Sequence, residues 1–547
     1  MATSIRLRPW QRTALDSLAT LDRRDFLAVA TPGAGKTTFA LTAAAQALAE
    51  RSIRTVIVVA PTQHLKLQWS EAASRLGVHL DPSWSARDGG LPADMHGIVT
   101  TYQQVAGSSL ALRPLASGAF VILDEVHHAS DDRAWGEAIL QAFDGAARRL
   151  SLSGTPFRSD TSAIPFVEYH VDEARPDFEY SYGEALADGG VVRPVFFPRT
   201  GGHMEWVAPD GAEVAASFAD ELTSQLANQR LRTALSLDGD WLTTVLADAN
   251  AQLSTIRRTH PDAAGLVIAM DQEHANGIAR LLRKRLGVTA TVAVSDDPMA
   301  SAKIARFARG TDQWIVAVRM VSEGVDIPRL RVGVFATNTT TELFFRQAVG
   351  RFVRWTRGVR SQKAFLYIPD DPRLRLWASG IAQQRRHSLA KRQRDDDGFF
   401  GERDPIDDTR VLGDDEGQLS LFSVISAVAT DRPIGEASAF DDDLDGWDNL
   451  SEHEGFEISL AVPPPPGAAT APSGQHGEIG STRRQLKTRL RDQNSSAVRE
   501  LVRFTNLDHR GVNAELNRLS GITRVTEATI DELQRRLDAA NRWLRPR

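Results

Sequence analysis

Residues 30 to 38 read Ala-Thr-Pro-Gly-Ala-Gly-Lys-Thr-Thr and contain the residue types that bind a nucleoside triphosphate. Gly33 and Gly35 carry no Cβ, so successive backbone N–H groups can curl around phosphate oxygens. Lys36 can place a positive charge near the β and γ phosphates, and the Thr37 hydroxyl can ligate Mg²⁺. The alternative is a structural turn, because the first glycine of the GxxxxGK[ST] pattern is an alanine here. The pattern predicts nucleotide binding but not the use of the nucleotide.

An acidic pair, Asp124-Glu125, follows directly after the apolar run of residues 119 to 123. A carboxylate at the end of a buried strand suits Mg²⁺ held by Asp124, and its neighbour Glu125 can orient or activate a water. Two acids at a solvated strand end would be the alternative without the phosphate loop upstream. Read together, the loop and the acidic pair favour hydrolysis of the bound nucleotide.

A third polar group lies far downstream, at Gln347, Arg351 and Arg354. On a helix over residues 346 to 354 these positions are i, i+4 and i+7, so the spacing predicts that they project from one face and bind an anion. A solvated basic helix face is the alternative. Upstream of the loop, Gln11 has an amide that can hydrogen-bond an adenine. The neighbouring proline equally fits a plain helix start.

The elements that must position these groups form two alternating strand–helix series. Apolar, β-branched runs predict strands at 26–30, 55–62, 97–102 and 119–123, and a fifth strand that ends in a turn at 150–156. A second series is predicted at 265–270, 290–294, 314–318, 333–336 and 364–368. Strands that alternate with helices indicate parallel sheets, with sites at the carboxyl ends of the strands. We therefore expect an α/β domain over residues 1–195, a connecting helical segment over 196–260 and a second α/β domain over 261–370.

The remaining chain differs in composition. A basic helix is predicted at the start of 371–479, and the rest of that segment is acidic, so we expect an acidic disordered linker. Residues 480–547 carry 15 Lys/Arg against 8 Asp/Glu and predict a small basic helical module. Short helices are expected at 482–491, 496–504 and 510–519, and a final helix at about 526–544 has Arg535, Arg536 and Arg542 off its apolar stripe. Such a module suits contact with a phosphate backbone, and a protein-docking bundle with a solvated basic surface is the alternative.

Composition excludes several classes of protein. The chain has no cysteine, so disulfides, thiol catalysis and cysteine-based zinc sites are excluded. No apolar run reaches the length of a membrane span, and the N-terminus lacks a signal peptide, which predicts a cytoplasmic protein with no membrane partner. The net charge of −6 averages over unlike segments and says little about nucleic acid.

Taken in chain order, these motifs resemble those of superfamily-two helicases of the DExH type. The similarity is to the branch with type III restriction helicase subunits and XPB-like translocases, and it covers about residues 6 to 370. Alanine at position 30 is common in this family. The matching segments are motif I at 30–38, motif II at 124–127, motif III at 153–156, motif V at 322–328 and motif VI at 347–354.

The resemblance implies an α/β fold of two tandem RecA-like parallel-sheet domains, with ATP and Mg²⁺ in the cleft between them. Glu125, Gln347, Arg351 and Arg354 would be catalytic, with Arg354 as an arginine finger. The implied nucleotide contacts are Gln11, Thr31, Gly33, Ala34, Gly35, Lys36, Thr37, Thr38, Gly324 and Asp326, and the implied metal ligands are Thr37 and Asp124. Ser153 and Thr155 would couple hydrolysis to movement, while Pro61, Thr62, Thr100, Thr101 and Arg158 would contact nucleic acid.

One further stretch, Gln418-Leu419-Ser-Leu421-Phe422, resembles the pentapeptide by which bacterial proteins dock on the β sliding clamp. A short buried strand or helix is the alternative for this apolar stretch. The leading hypothesis is an ATP-dependent DNA helicase or translocase in replication, repair, recombination or defence. An RNA helicase and a clamp-tethered DNA-binding adaptor with a vestigial ATPase are the alternatives. A separate nuclease is a compatible partner, because we find no nuclease motif in this chain.

Overall fold

The computed structural model describes residues 3–127, 133–154, 164–170, 173–294, 296–297, 299–318, 327–356, 358–359, 362–397, 423–429, 456–466, 483–505, 507–522, 525 and 528–544. Two seven-stranded sheets, each with parallel neighbouring strands, dominate it. This arrangement matches the predicted pair of RecA-like α/β domains.

The first half of the chain builds the first sheet. Its elements in chain order are β1 (Thr3–Leu7), α1 (Pro9–Thr20), β2 (Asp25–Ala30), α2 (Lys36–Ala49), β3 (Val56–Ala60), α3 (Gln63–Arg75), β4 (Leu80–Asp81), β5 (Gly97–Thr101), α4 (Tyr102–Ala116), β6 (Phe120–Leu123), α5 (Arg133–Phe143), β7 (Arg148–Ser153), β8 (Tyr169–His170), β9 (Glu173–Ala174), β10 (Phe178–Tyr180) and α6 (Tyr182–Ala187). The strand order is β10-β2-β7-β6-β3-β5-β4. The apolar residues of β3 and β6 are buried throughout, as expected for strands covered by helices on both faces.

The second sheet and its covering helices follow. The elements are β11 (Val195–Phe196), β12 (Arg199–Thr200), β13 (Gly202–Val207), β14 (Glu213–Ser217), α7 (Ser224–Ala234), α8 (Asp240–Thr259), β15 (Ala264–Ala269), α9 (Gln272–Leu286), β16 (Ala290–Ala293), α10 (Ala300–Arg309), β17 (Trp314–Ala317), β18 (Leu330–Ala336), α11 (Glu342–Val349), β19 (Ala364–Pro369) and α12 (Pro372–Asp397). The order is β11-β19-β18-β15-β17-β16, and β12 also pairs with β19. Within 196–260 the chain thus forms a β13–β14 hairpin besides the two helices.

Two stretches of the acidic segment form strands that return to the body of the protein. Strand β20 (Ser423–Ala429) pairs antiparallel with β13, and β21 (Phe456–Leu460) pairs antiparallel with β1. Beyond β21, the carbonyl of Pro463 lies 2.8 Å from His96 Nε2. The chain is therefore attached to the second half at β20 and to the first half at β21.

The C-terminal part is helical, as predicted, but its detail differs. Helix α13 (Arg483–Phe504) is continuous where the sequence suggested two short helices, and α14 (His509–Ser520) and α15 (Ile530–Leu544) pack on it. Arg536, expected on the outer face of α15, is instead buried with 1% of its surface exposed. Its guanidinium donates hydrogen bonds to the side-chain oxygens of three asparagines, Asn494, Asn513 and Asn517.

Among the residues that the structure describes, no helix combines the length and the hydropathy needed to cross a bilayer.

Candidate nucleotide site between the two sheets

The phosphate-binding loop lies between β2 and α2, as the sequence predicts. Gly33 and Gly35 have φ values of 85° and 97°, a left-handed conformation that glycine adopts without steric cost. Helix α2 begins at Lys36, and in the described part of the chain no side chain caps its N-terminus. A helix start of this kind leaves backbone N–H groups and a positive dipole end available to an anion. Thr37 and Thr38 lie in the same first turn.

The outer side of this loop is held by residues that precede it in sequence. Arg8 donates to the carbonyls of Gly33 and Ala34 at 3.0 and 2.7 Å, and Trp10 Nε1 donates to Ala34 O at 3.1 Å. Gln11 Nε2 donates to the Gly35 carbonyl at 2.9 Å. These hydrogen bonds hold the loop carbonyls toward residues 8–11, so that the backbone N–H groups of the loop can face the opposite side.

The position of Gln11 agrees with the alternative interpretation, in which residues 8–11 are the start of a helix. Pro9 is the first residue of α1, and Gln11 Oε1 accepts a hydrogen bond from Arg8 N at 2.8 Å. Recognition of adenine by Gln11 stays a prediction. Arg8 was not singled out from the sequence, because a lone arginine before a proline carries no pattern that points to a loop 25 residues away.

Asp124 is buried at the end of β6 and is oriented by two aromatic residues. Trp69 Nε1 donates to Asp124 Oδ2 at 2.8 Å, and Tyr102 Oη donates to the Asp124 carbonyl at 2.9 Å. Burial, reinforced by the neighbouring Glu125 charge, raises the pKa of Asp124 to about 6. A buried carboxylate with this cost of ionisation gains strongly from a nearby cation such as a divalent metal.

Glu125 lies between the loop and motif III. Its Oε1 accepts from Lys36 Nζ at 2.9 Å, and its Oε2 accepts from the backbone N–H of Gly154 at 3.1 Å. Burial raises the pKa of Glu125, but the Lys36 ammonium and His127 outweigh it and bring the pKa down to about 2. Its φ of 47° is rare for a residue with a side chain and is typical of functional sites.

Motif VI reaches this group from the second sheet. Gln347 Nε2 lies 3.0 Å from His127 Nε2, so the second half contacts motif II directly. The predicted helix over 346–354 is wrong at its end, because α11 stops at Val349. Gly350 then packs on Pro32, and a Cβ there would lie 2.7 Å from Pro32 Cγ. Arg351 and Arg354 therefore do not share a helical face with Gln347.

Arg354 nevertheless lies beside the phosphate-binding loop. It forms an antiparallel backbone bridge with Val192, which draws the chain out of the helix. A Cβ placed on Gly33 would lie 3.4 Å from Arg354 Cδ and 3.6 Å from one of its guanidinium nitrogens. The structure thus brings motif I, motif II and motif VI together across the space between the two sheets.

The chain is similar to several known proteins. Residues 4–158 match the family model described as type III restriction enzyme, res subunit. An uncharacterized protein of Mycobacterium tuberculosis (strain CDC 1551 / Oshkosh) is 39% identical over 571 residues, which cover 97% of this chain and 92% of that protein. An uncharacterized protein of Mycobacterium leprae (strain TN) is also 39% identical, over 97% of this chain and 93% of its own.

The chain belongs to the family of these mycobacterial proteins, and its residues 4–158 match the res-subunit model. Among solved structures, the ATP-dependent Type ISP restriction-modification enzyme LlaBIII bound to DNA is similar with a TM-score of 0.47 and 15% identity. That similarity covers 71% of this chain and 30% of the LlaBIII chain.

The residues present at this site fit an ATP–magnesium pair. The uncapped start of α2 offers N–H groups to phosphates, and Lys36 lies in the same turn. Asp124 and the Thr37 hydroxyl supply oxygen ligands of the kind that Mg²⁺ prefers. The cleft continues between Thr31 and Pro32 on one side and Val349 and Val353 on the other.

The other predicted helicase residues have mixed outcomes. Ser153 is buried at the end of β7. Thr155, Arg158, Gly324, Asp326 and the clamp-like residues Gln418, Leu419, Leu421 and Phe422 lie outside the described residues. Their roles stay predictions.

The predicted nucleic-acid contacts lie at the ends of β3 and β5. Pro61 and Thr62 are half-buried, whereas Thr100 and Thr101 are buried. Thr62 and Thr101 cap the starts of α3 and α4 with their hydroxyls. Contact of these threonines with a strand is therefore still a prediction, and their structural role as caps is visible.

Proposed function

We propose that this protein is an ATP-dependent DNA helicase or DNA translocase. The observation that carries the proposal is the position of Arg354, which comes from the second half of the chain and lies against Gly33 of the phosphate-binding loop. A nucleotide in that loop would be enclosed by both halves. Its hydrolysis would change the contacts between them, and this is the basis of movement along a strand.

Each residue near the loop has a role in this proposal. Lys36 would bind the β and γ phosphates, and Thr37 with Asp124 would hold a magnesium ion, which would neutralise phosphate charge. Glu125 would orient the attacking water, and Arg354, together with Arg351 and Gln347, would stabilise charge that develops on the γ-phosphoryl group. Lys36 donates one hydrogen bond to Glu125 at 2.9 Å, and its ammonium carries two further donors that can bind a phosphate.

DNA is the proposed track, and an RNA helicase is the second candidate. The motifs of the second half resemble those of the DNA-acting branch, and the clamp-like peptide at 418–422 would place the protein in DNA metabolism. The basic C-terminal module would add contacts to phosphates. Replication, repair, recombination and defence are all compatible settings, with the β sliding clamp or a separate nuclease as protein partners.

The deciding measurement is ATP hydrolysis by the purified full chain with single-stranded DNA, duplex DNA or RNA, in the presence of Mg²⁺. DNA should stimulate hydrolysis and RNA should not. Lys36→Ala should abolish activity, whereas Lys303→Ala on α10, which removes an exposed lysine paired with Asp297, should leave it unchanged. Hydrolysis that no DNA stimulates would overturn the proposal, and stimulation by RNA alone would favour the second candidate. Strand separation would then distinguish a helicase from a translocase.

A further inference from the structure

The segment that links the two sheets runs directly beside motif VI. Val192 forms the backbone bridge with Arg354, and the next residue, Arg193, donates its backbone N–H to the Val353 carbonyl at 2.9 Å. Val192 is fully buried, and its side chain also approaches Gly33. The segment that links the two halves therefore also supports the backbone at Arg354.

The side chain of Arg193 extends this support to a second segment. It is 1% exposed, and its guanidinium donates to the carbonyls of Leu330 and Pro328 at 3.0 and 2.8 Å. It also donates to Thr356 Oγ1 at 3.2 Å. Pro328 is the last residue of motif V, Leu330 lies two residues after it, and Thr356 lies two residues after Arg354. One buried side chain therefore ties the interdomain link to the end of motif V and to the segment after motif VI.

The link is also anchored on the side of the first half. Tyr182 Oη, at the start of α6, donates to the Arg193 carbonyl at 3.2 Å and accepts from Val195 N at 2.9 Å. Burial raises the pKa of Tyr182, so this phenol stays protonated and keeps donating. Arg193 therefore contacts residues of both halves, Tyr182 in the first and Pro328 and Leu330 in the second.

We propose that Arg193 is a positioning residue that sets the place of the Arg354 guanidinium at the phosphate-binding loop. This inference rests on the proposed ATPase function. The guanidinium is planar with five donors in fixed directions, and it can span three acceptors that a single lysine ammonium cannot reach together. Loss of these bonds lets the 350–356 turn shift relative to the link. A shift of about 1 Å at a catalytic group can lower the rate by about 10²-fold.

The kinetic test compares Arg193→Lys, Thr356→Val and Arg354→Ala in DNA-stimulated ATP hydrolysis. Arg193→Lys should lower kcat by about 10²-fold with the KM for ATP nearly unchanged, because the finger acts in the transition state. Thr356→Val removes one acceptor only and should lower kcat less. Arg193→Lys combined with Arg354→Ala should be no slower than Arg354→Ala alone, since both changes remove the same contribution. Additive losses would overturn the proposal.

A matched control separates positioning from general stability. Arg230 is also 1% exposed and also donates to two backbone carbonyls, those of Ser217 and Asp220, but it lies in α7 away from the cleft. Arg230→Lys should lower thermal stability to a similar degree and leave kcat unchanged. An equal loss of kcat in Arg230→Lys would show that destabilisation alone explains the effect.

Hydrogen–deuterium exchange gives a readout that does not need ATP hydrolysis. Amides of residues 350–356 should exchange faster in Arg193→Lys than in the wild type, and no faster in Arg230→Lys. If the wild type hydrolyses no ATP, the proposed function fails, and exchange still decides whether Arg193 holds this turn. Unchanged exchange in Arg193→Lys would refute the positioning role even in an active enzyme.

Discussion

Trp69→Phe tests whether the buried indole keeps Asp124 in its metal-binding form. The indole N–H donates to Asp124 Oδ2 at 2.8 Å, and both residues are buried, with 2% and 8% of their surfaces exposed. Phenylalanine fills much of the same space but has no donor. The substitution therefore removes one hydrogen bond to a charged acceptor, together with part of an aromatic ring.

The expected magnitude follows from the strength of that hydrogen bond. A hydrogen bond to an ionised group contributes about 1.5–3 kcal/mol, and about 1.4 kcal/mol corresponds to one pKa unit. Trp69 stabilises the carboxylate form, so its removal should raise the pKa of Asp124 by about one to two units. This change starts from a pKa of about 6, already raised by burial and by Glu125. Near neutral pH, much of Asp124 would then be protonated and unable to ligate Mg²⁺.

The assay is DNA-stimulated ATP hydrolysis as a function of pH and of Mg²⁺ concentration. In Trp69→Phe the acid limb of the rate profile should move to higher pH by about one unit or more, and more Mg²⁺ should be needed at a given pH. Trp314→Phe is the control. Trp314 lies in β17 of the second sheet and is also buried, and its Nε1 donates to Asn250 Oδ1 at 3.0 Å. An unmoved acid limb in Trp69→Phe, or the same shift in Trp314→Phe, would refute this account of Asp124.

Three further predictions concern contacts away from Asp124. Gly350→Ala should lower kcat about tenfold or more, because its Cβ meets the rigid Pro32 ring and displaces motif VI. Gly380→Ala in α12 is the control, because a Cβ there lies within 4 Å of no other described atom. Equal rates in the two variants would contradict the predicted clash with Pro32. Burial lowers the pKa of His96, whose neutral Nδ1 accepts the His79 N–H at 2.9 Å while its Nε2 contacts the Pro463 carbonyl. Protonation of Nδ1 breaks the His79 hydrogen bond and charges a buried ring, so as pH falls below the ordinary histidine range the 456–466 segment should be cleaved faster by protease in the wild type but respond little in His96→Gln. Arg536→Leu should destabilise the C-terminal helices by about 3 kcal/mol or more, because it leaves three asparagine oxygens without their donor, and an unchanged melting profile of that part would contradict this.

The local sequence pattern was sufficient to predict the central strands of the two sheets. The residues of β3 are all apolar and all buried, and the same holds for β15, so each run in the sequence corresponds to one central strand. Parallel strands place their carboxyl ends at one edge. The loop at 30–38 and the acidic pair at 124–125 therefore had to meet, as the Lys36 to Glu125 contact shows.

Features that depend on distant partners could not be predicted this way. The residues of motif VI have helical spacing in the sequence, but α11 ends at Val349. Beyond it, Arg354 pairs through its backbone with Val192, which lies 162 residues earlier in the sequence. Arg536 looked like a surface residue because its three asparagine acceptors belong to other helices. In the described part of the chain, strand β21 pairs with β1, which comes far earlier in the sequence.

Close approach also explains why some positions of the motifs are glycine and one is not. A Cβ on Gly154 would lie 2.9 Å from Lys36 Nζ, and one on Gly350 would lie 2.7 Å from Pro32, so both sites are filled by neighbouring functional atoms. Ala30, at the position where the general phosphate-loop pattern has glycine, ends strand β2 and is fully buried among apolar residues. A methyl group there packs into the apolar core. The alanine that weakens the sequence pattern is therefore accommodated by the core, whereas a methyl group at Gly350 would meet Pro32 and separate the two halves of the site.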